Sequence, residues 1–275
     1  MKKVLNIIVI LLYLVSCKKD NPEPIFTETR VGLSGKSLAT YSVIKNTEYL
    51  LVFESGLGDD HSVWINSGIL SQIIDSTDVL LYDRAGYGSS DKGLDARNIV
   101  RLQSELDTVI NSFSNGRKLI LIGHSLGGMI IRDYAIQHPE SMAGLVFIDP
   151  SHENYNQPSQ SDEDAIYSAF LTAYGAGFGG TAEARELIED SQYLETLPAL
   201  PDIPVIVITS MKTDESHSAS DRQKWFDAHE SLKTGLTDFS HITTIQSGHY
   251  IMLEEPSLVL NSIHSLLSKK KMVGE

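Results

Sequence analysis

The sequence predicts an α/β fold: a mostly parallel, doubly wound sheet with a helical insertion late in the chain. Three observations carry this. Tyr49 to Phe53, Val79 to Tyr82, Leu119 to Ile122, Leu145 to Ile148 and Val205 to Thr209 are short, nearly continuous apolar runs, the pattern of strands covered on both faces. Amphipathic helical spacings lie between or after them, at Ile99, Leu102, Leu106, Val109, Ile110 and Phe113, and again at Val259, Ile263, Leu266 and Leu267. Strand and helix alternate, which implies a layered α/β sheet. The third observation is a gap in the alternation, because Ser151 to about Pro201 holds no strand-like run but has helical patterns at Ala165 to Tyr174 and Ala182 to Leu194. A structureless loop of that length is improbable in a compact domain, so the segment reads as helices standing over the sheet edge.

Taken in order, the domain opens with a hairpin: Thr27 to Val31 and Ser37 to Ile44 alternate as strands do and are joined through Gly32 to Gly35. Ile242 to Ile245 is a weaker sixth parallel run. The segment around which the rest is organised is Lys118 to Gly128, KLILIGHSLGG. An apolar strand runs into a GxSxG pattern at Gly123 to Gly127, and a helix-compatible run, Met129 to Gln137, follows until His138 and Pro139 stop it. A serine held on such a tight strand-to-helix turn has strained backbone angles, and its small neighbours remove the clash. Ser125 Oγ then points out of the sheet edge, with the N–H of Leu126 facing any oxyanion that forms beside it.

Before the domain, Met1 to Ser16 carries two lysines and an apolar run from Val4 to Val15. That run is shorter than the roughly 20 residues a bilayer needs, so it reads as a secretion signal. Leu14-Val15-Ser16-Cys17 resembles the lipobox of bacterial lipoproteins, in which the cysteine becomes the acylated first residue, and Cys17 is the chain's only cysteine. Cleavage by an ordinary signal peptidase, leaving Cys17 free, is the other reading. Residues 17–25 are polar and proline-containing, a tether. The expected organisation is therefore a signal peptide over 1–16, a tether over 17–25, a core over 26–148 and 205–275, and a helical cap over 149–204. The expected location is the cell envelope outside the cytoplasm, with the protein held to a membrane by its N-terminal lipid.

Composition narrows the partners. The chain has 275 residues, 41% of them hydrophobic, and a net charge of −14, with no basic cluster beyond Lys269 to Lys271. Phosphate binding needs a basic surface, so no nucleic-acid partner is expected. There is no HExxH, no Cys/His cluster and no P-loop, so neither a metal nor a nucleotide cofactor is implied.

Four landmarks in order, ESGLGDD at Glu54 to Asp60, YDRAGYGSSD at Tyr82 to Asp91, GHSLGG at Gly123 to Gly128 and SGHYIMLEEP at Ser247 to Pro256, resemble those of the α/β-hydrolases that carry a cap domain. The resemblance runs through the whole chain from Phe26. It implies a carboxylic-ester hydrolase or close relative acting on a small ester or acyl substrate, with nucleophile, acid and base in that chain order beneath the cap. Ser125 is then the nucleophile and His249 the base that must take its proton, while His124 and His241 read as structural or surface histidines. For the acid, Asp214 lies shortly after Val205 to Thr209, the usual place, although Met211-Lys212-Thr213 stands where the family commonly has a glycine-containing lead. Asp149, directly after Leu145 to Ile148, is the alternative, and Glu215 and Asp221 are more distant candidates. Leu57 is the second expected oxyanion donor beside Leu126, in a loop with Ser55-Gly56 where the family often has His-Gly. Asp83 and Arg84 read as structural ion-pairing residues. Phe170, Tyr174, Phe178 and Tyr193 either line an acyl pocket or form the cap's own small core. The rival readings are an amide or peptide hydrolase, an acyltransferase, or a non-catalytic ligand-binding lipoprotein.

Overall fold

The structure, a computed structural model, describes residues 26–93 and 96–273, with side chains to residue 268. The expected signal segment, Cys17 and the tether lie outside the described residues.

Among the described residues eight strands form one sheet: β1 (Thr27–Leu33), β2 (Lys36–Val43), β3 (Tyr49–Glu54), β4 (Asp78–Tyr82), β5 (Lys118–His124), β6 (Met142–Ile148), β7 (Val205–Ser210) and β8 (Phe239–Thr244). Their spatial order is β1-β2-β4-β3-β5-β6-β7-β8. The β1–β2 hairpin and the β2–β4 pair are antiparallel, and every later pairing is parallel. Among the described residues ten α-helices accompany the strands: α1 (Ser62–Asn66), α2 (Leu70–Ile73), α3 (Ile99–Phe113), α4 (Leu126–Gln137), α5 (Gln160–Tyr174), α6 (Gly179–Glu183), α7 (Leu187–Glu195), α8 (Ala219–Glu230), α9 (Ile251–Glu254) and α10 (Pro256–Val273).

Alternate residues of each central strand enter different cores, which is why the strand runs are apolar throughout. Leu50, Val52, Leu119, Leu121, Leu145 and Phe147 pack with α3 and α4 on one face. Leu51, Phe53, Ile120, Ile122, Val146 and Ile148 pack with α1, α2 and α10 on the other. A strand with polar residues at either set of positions would leave them without hydrogen-bond partners in a dry layer. β8 begins three residues before the expected run, because Phe239 pairs with Val205 and the ladder continues to Thr244 opposite Ser210. Its residues are half-buried at the sheet edge, so it carries little apolar signal. Between β6 and β7 the chain makes only helices, α5, α6 and α7. β3, β5, β6, β7 and β8 all point the same way, and their carboxyl ends collect the loops after each strand on one edge of the sheet, where open α/β sheets bind ligands.

Candidate functional site

Ser125 sits between β5 and α4 as the N-cap residue of that helix, with φ 53° and ψ −123°, a backbone conformation that L-residues avoid. The turn is held from three sides. Ser125 N–H donates to Ile148 O at 3.2 Å, and Ser125 O accepts from the N–H groups of Gly128 (2.9 Å) and Ser151 (3.0 Å). A side chain at Gly127 would lie 2.5 Å from Glu54 O and 2.7 Å from Ser55 O, so only glycine lets the helix start this close to the loop after β3. That approach brings Leu57 and Leu126 to the wall of one cavity of about 360 Å³ with Ser125.

His249 lies in the loop between β8 and α9, and its Nδ1 is 2.7 Å from Asp149 Oδ2. Asp149 follows β6 directly, is fully buried, and has a positive φ of 43° that turns its side chain back across the strand ends. Its other oxygen, Oδ1, accepts from Ser210 N–H (2.9 Å) and Trp225 Nε1–H (2.7 Å). Burial alone would raise the carboxyl pKa, but the hydrogen bond and charge of His249, with those of His229 and Trp225, hold it below the usual carboxylate range. Asp149 is therefore an oriented anion on the imidazole. Ser125, Asp149 and His249 share the wall of a second cavity, of about 300 Å³.

The structure does not bring Asp214 to His249. Asp214 Oδ1 accepts from the N–H groups of Ser216 and His217 (both 2.8 Å) and lies 2.9 Å from His217 Nδ1, closing its own turn at the surface between β7 and α8. The physical reason is the path of the chain: Met211 N–H donates to Thr244 O and Arg222 Nε–H donates to Lys212 O, which carries the segment past the strand end before residue 214 is reached. The expectation that Asp214 orients His249 is corrected to Asp149. Asp221, one of the more distant candidates, is instead engaged in capping α8 through Ser218. His217, which the sequence reading passed over, does line the second cavity with Ser125. An aspartate three residues before a histidine was the available signal.

Arg84 is buried and forms ion pairs, as expected of it. It donates to Glu54 Oε1 (2.8 Å), to Glu183 Oε1 (2.9 Å) and Oε2 (3.0 Å), and to the carbonyls of Ser55 (2.7 Å) and Gly56 (2.8 Å). Glu183 belongs to α6, and it also accepts from Tyr87 OH at 2.6 Å, while Gly58 N–H donates to Tyr87 OH at 3.1 Å. The loop bearing Leu57 is thus clamped from below by a guanidinium that also holds the inserted helices. Asp83 accepts from His61 N–H and Ser89 N–H and pairs with His61 Nδ1 at 2.7 Å.

Of the four aromatics expected either in the pocket or in a small core, Phe170, Tyr174 and Phe178 pack on one another, with ring centroids 4.6 to 6.2 Å apart. Tyr193 OH donates to Asp133. The 360 Å³ cavity is lined instead by apolar Met129, Ile166 and Leu187 together with polar Asn156, Gln157 and Asp190. Asp190 accepts from Ile99 N–H at 2.7 Å, and burial with the nearby Glu186, Glu183 and Glu189 pushes its carboxyl up to about 8.

The family model described as alpha/beta hydrolase fold matches residues 49–274. Over 100 residues the chain is 36% identical to a putative carbamate hydrolase, RutD, of Pseudomonas savastanoi pv. phaseolicola, a stretch covering 36% of this chain and 38% of that protein. Over 114 residues it is 27% identical to the human (lyso)-N-acylphosphatidylethanolamine lipase, covering 40% of this chain and 33% of the lipase. The matches thus span about a third of the length of these relatives. Among solved structures, a thermophilic esterase from Thermogutta terrifontis superposes with a TM-score of 0.70 at 17% identity, covering 88% of this chain and 98% of the esterase.

Proposed function

This chain belongs to the alpha/beta hydrolase family, and on that premise we propose that it is a serine hydrolase that cleaves carboxylic esters through an acyl-enzyme on Ser125. One observation carries the proposal: the 2.7 Å contact between His249 Nδ1 and the buried Asp149 carboxylate, beside a strained serine on the wall of the same cavity. With Asp149 accepting at Nδ1, the neutral imidazole carries its proton there and leaves Nε2 as a base. Nε2 takes the Ser125 Oγ proton as Oγ attacks the ester carbonyl. The tetrahedral oxyanion is held by the N–H groups of Leu57 and Leu126. Collapse breaks the bond to the leaving alcohol, which receives the proton from Nε2. Water, deprotonated by the same nitrogen, then hydrolyses the acyl group and restores Ser125.

The cavity of about 360 Å³, lined by both apolar and polar side chains, suits a short acyl group that carries a hydrogen-bonding substituent. The name of the carbamate hydrolase relative favours amide-like bonds as the second reading. Two experiments decide. A fluorophosphonate probe labels the wild type and not Ser125→Ala; labelling of neither overturns the hydrolase reading. Turnover of esters of graded acyl length against the matching amides ranks the two bond types.

We further propose that the protein works outside the cytoplasm, tethered by a lipid on Cys17, as the Leu14 to Cys17 motif and the lone cysteine suggest. Among the described residues no helix is long and apolar enough to cross a membrane. Cys17→Ser then moves the protein to the soluble fraction; unchanged membrane association of that variant refutes the anchor.

A further inference from the structure

His124, the last residue of β5, is buried beside the nucleophile, with its ring 4.6 Å from the ring of His249 and 5.1 Å from that of Tyr250. Its Nε2 lies 3.0 Å from the backbone carbonyl of His249. A carbonyl can only accept, so Nε2 carries a proton. Burial, reinforced by the His249 ring, drives the His124 imidazole down to about 3, so the ring is neutral and has no second proton. Its Nδ1 therefore presents a bare lone pair, and that atom is buried without a partner. Asp59 Oδ2 lies 3.9 Å from it and is likewise buried without a partner. Two buried acceptors facing each other are unfavourable unless one of them brings a proton. Asp59 is the group able to do so: burial raises its carboxyl pKa, outweighing the hydroxyl of Tyr250, which donates to its other oxygen at 3.4 Å and favours the anion, as does the charge of Arg84.

We propose that Asp59 is a protonated positioning residue whose Oδ2–H donates to His124 Nδ1, tying the loop that carries Leu57 to the loop that carries His249. The present 3.9 Å separation needs closing by about 1 Å to reach hydrogen-bond length. Gly56 leaves that path open, because a Cβ there would stand 3.0 Å from His124 Nδ1 and 3.3 Å from Asp59 Oδ2. The strap thus runs Asp59, His124, His249 carbonyl, and its closure sets the distance between the oxyanion donor and the base. Its consequence for turnover rests on the serine-hydrolase reading; the hydrogen bond itself does not.

The test has two arms. Nitrogen-15 NMR of labelled histidines at pH 7 finds His124 as the neutral Nε2–H tautomer, with the Nδ1 resonance shifted by an accepted hydrogen bond that Asp59→Ala removes, and the carbon-13 shift of the Asp59 carboxyl in the protonated range. A cationic or Nδ1–H ring, an ionised Asp59, or an Nδ1 resonance unmoved in Asp59→Ala overturns the proposal. In the second arm, with p-nitrophenyl acetate as substrate, Asp59→Ala lowers kcat between about ten- and a hundredfold at nearly constant KM, the scale of a small misplacement of reacting groups. Asp59→Asn, whose amide can donate to Nδ1, restores most of that loss. Equal losses in both variants, or none in either, refute the positioning role. Should wild type turn over no ester or amide at all, the hydrolase reading fails, and the NMR arm still decides the hydrogen bond.

Discussion

Two aspartates stand just beyond the ends of neighbouring strands, and each holds a histidine by Nδ1. Asp149 follows β6 and pairs with His249 at 2.7 Å; Asp214 follows β7 and pairs with His217 at 2.9 Å. The two rings are equally exposed, at 41%, and both line the same cavity as Ser125. What differs is the carboxylate. Asp149 is fully buried and oriented by Ser210 and Trp225, whereas the Asp214 side chain is 51% exposed and bonded to its own turn. In water the attraction between such a pair is screened and worth little, while a dry, oriented carboxylate both fixes the imidazole and favours the imidazolium that forms when the serine proton is taken. An aspartate–histidine contact is thus only half of a catalytic base; the solvent around the carboxylate supplies the rest.

The largest expected effect breaks that comparison directly. Asp149→Asn should lower kcat by on the order of 10⁴, because the amide selects the wrong imidazole tautomer. Turnover measured against titrated active sites checks it, and a larger loss in His217→Ala than in His249→Ala would transfer the role to the other pair. Burial alone does not make a carboxylate catalytic, and Glu183 sharpens the point. It is as buried as Asp149, but its oxygens are taken up by Arg84, Arg97 and Tyr87. Glu183→Gln should cost about 3 kcal/mol of folding stability, as breaking one side of a buried ion pair does, seen as a lower denaturant midpoint. Trp225→Phe removes one donor from Asp149 and should reduce kcat about tenfold, the equivalent of one charge-assisted hydrogen bond.

The pH dependence has a definite sign. Burial would raise the Glu183 carboxyl, but the charges and hydrogen bonds of Arg84 and Arg97 hold it below the ordinary value. A group with a depressed folded pKa contributes stability above its unfolded pKa, about 4.3, and loses it as pH falls through the folded value. The stability gap between wild type and Glu183→Gln should accordingly be widest near neutrality and shrink below about pH 4, measured by urea unfolding across that range. The smallest effect is at the other end of the comparison: Asp214→Asn should leave kcat/KM within about twofold, as surface substitutions do.

Much of this was readable along the chain. β5 and its glycines announced Ser125, since a backbone pinned at positive φ against the β3 loop tolerates only small neighbours. His249 stood out by its glycine and by its place between a weak strand and the last helix. The acid was less legible for a local reason. Both β6 and β7 are followed by aspartates, and the short-range sequence does not say that Met211 will bond Thr244 and lead the chain past the strand end. Arg84 announced itself as an ion-pairing residue, but its cap-side partner Glu183 is 99 positions away. Nor did any periodicity mark Phe170 and Phe178 as packing on each other rather than lining the cavity.

His249 was marked by its likeness to the base of the hydrolases, whereas apolar runs and glycine spacing, read one residue after another, were enough to set the strands, their two buried faces and the serine turn at the sheet edge. These follow from local sterics and from the need to keep apolar surface out of water, both of which act over a few residues. Which carboxylate meets the imidazole was settled only when β6, β7 and β8 lay side by side, because desolvation of a charge depends on everything that surrounds it in space and on nothing that adjoins it in the chain.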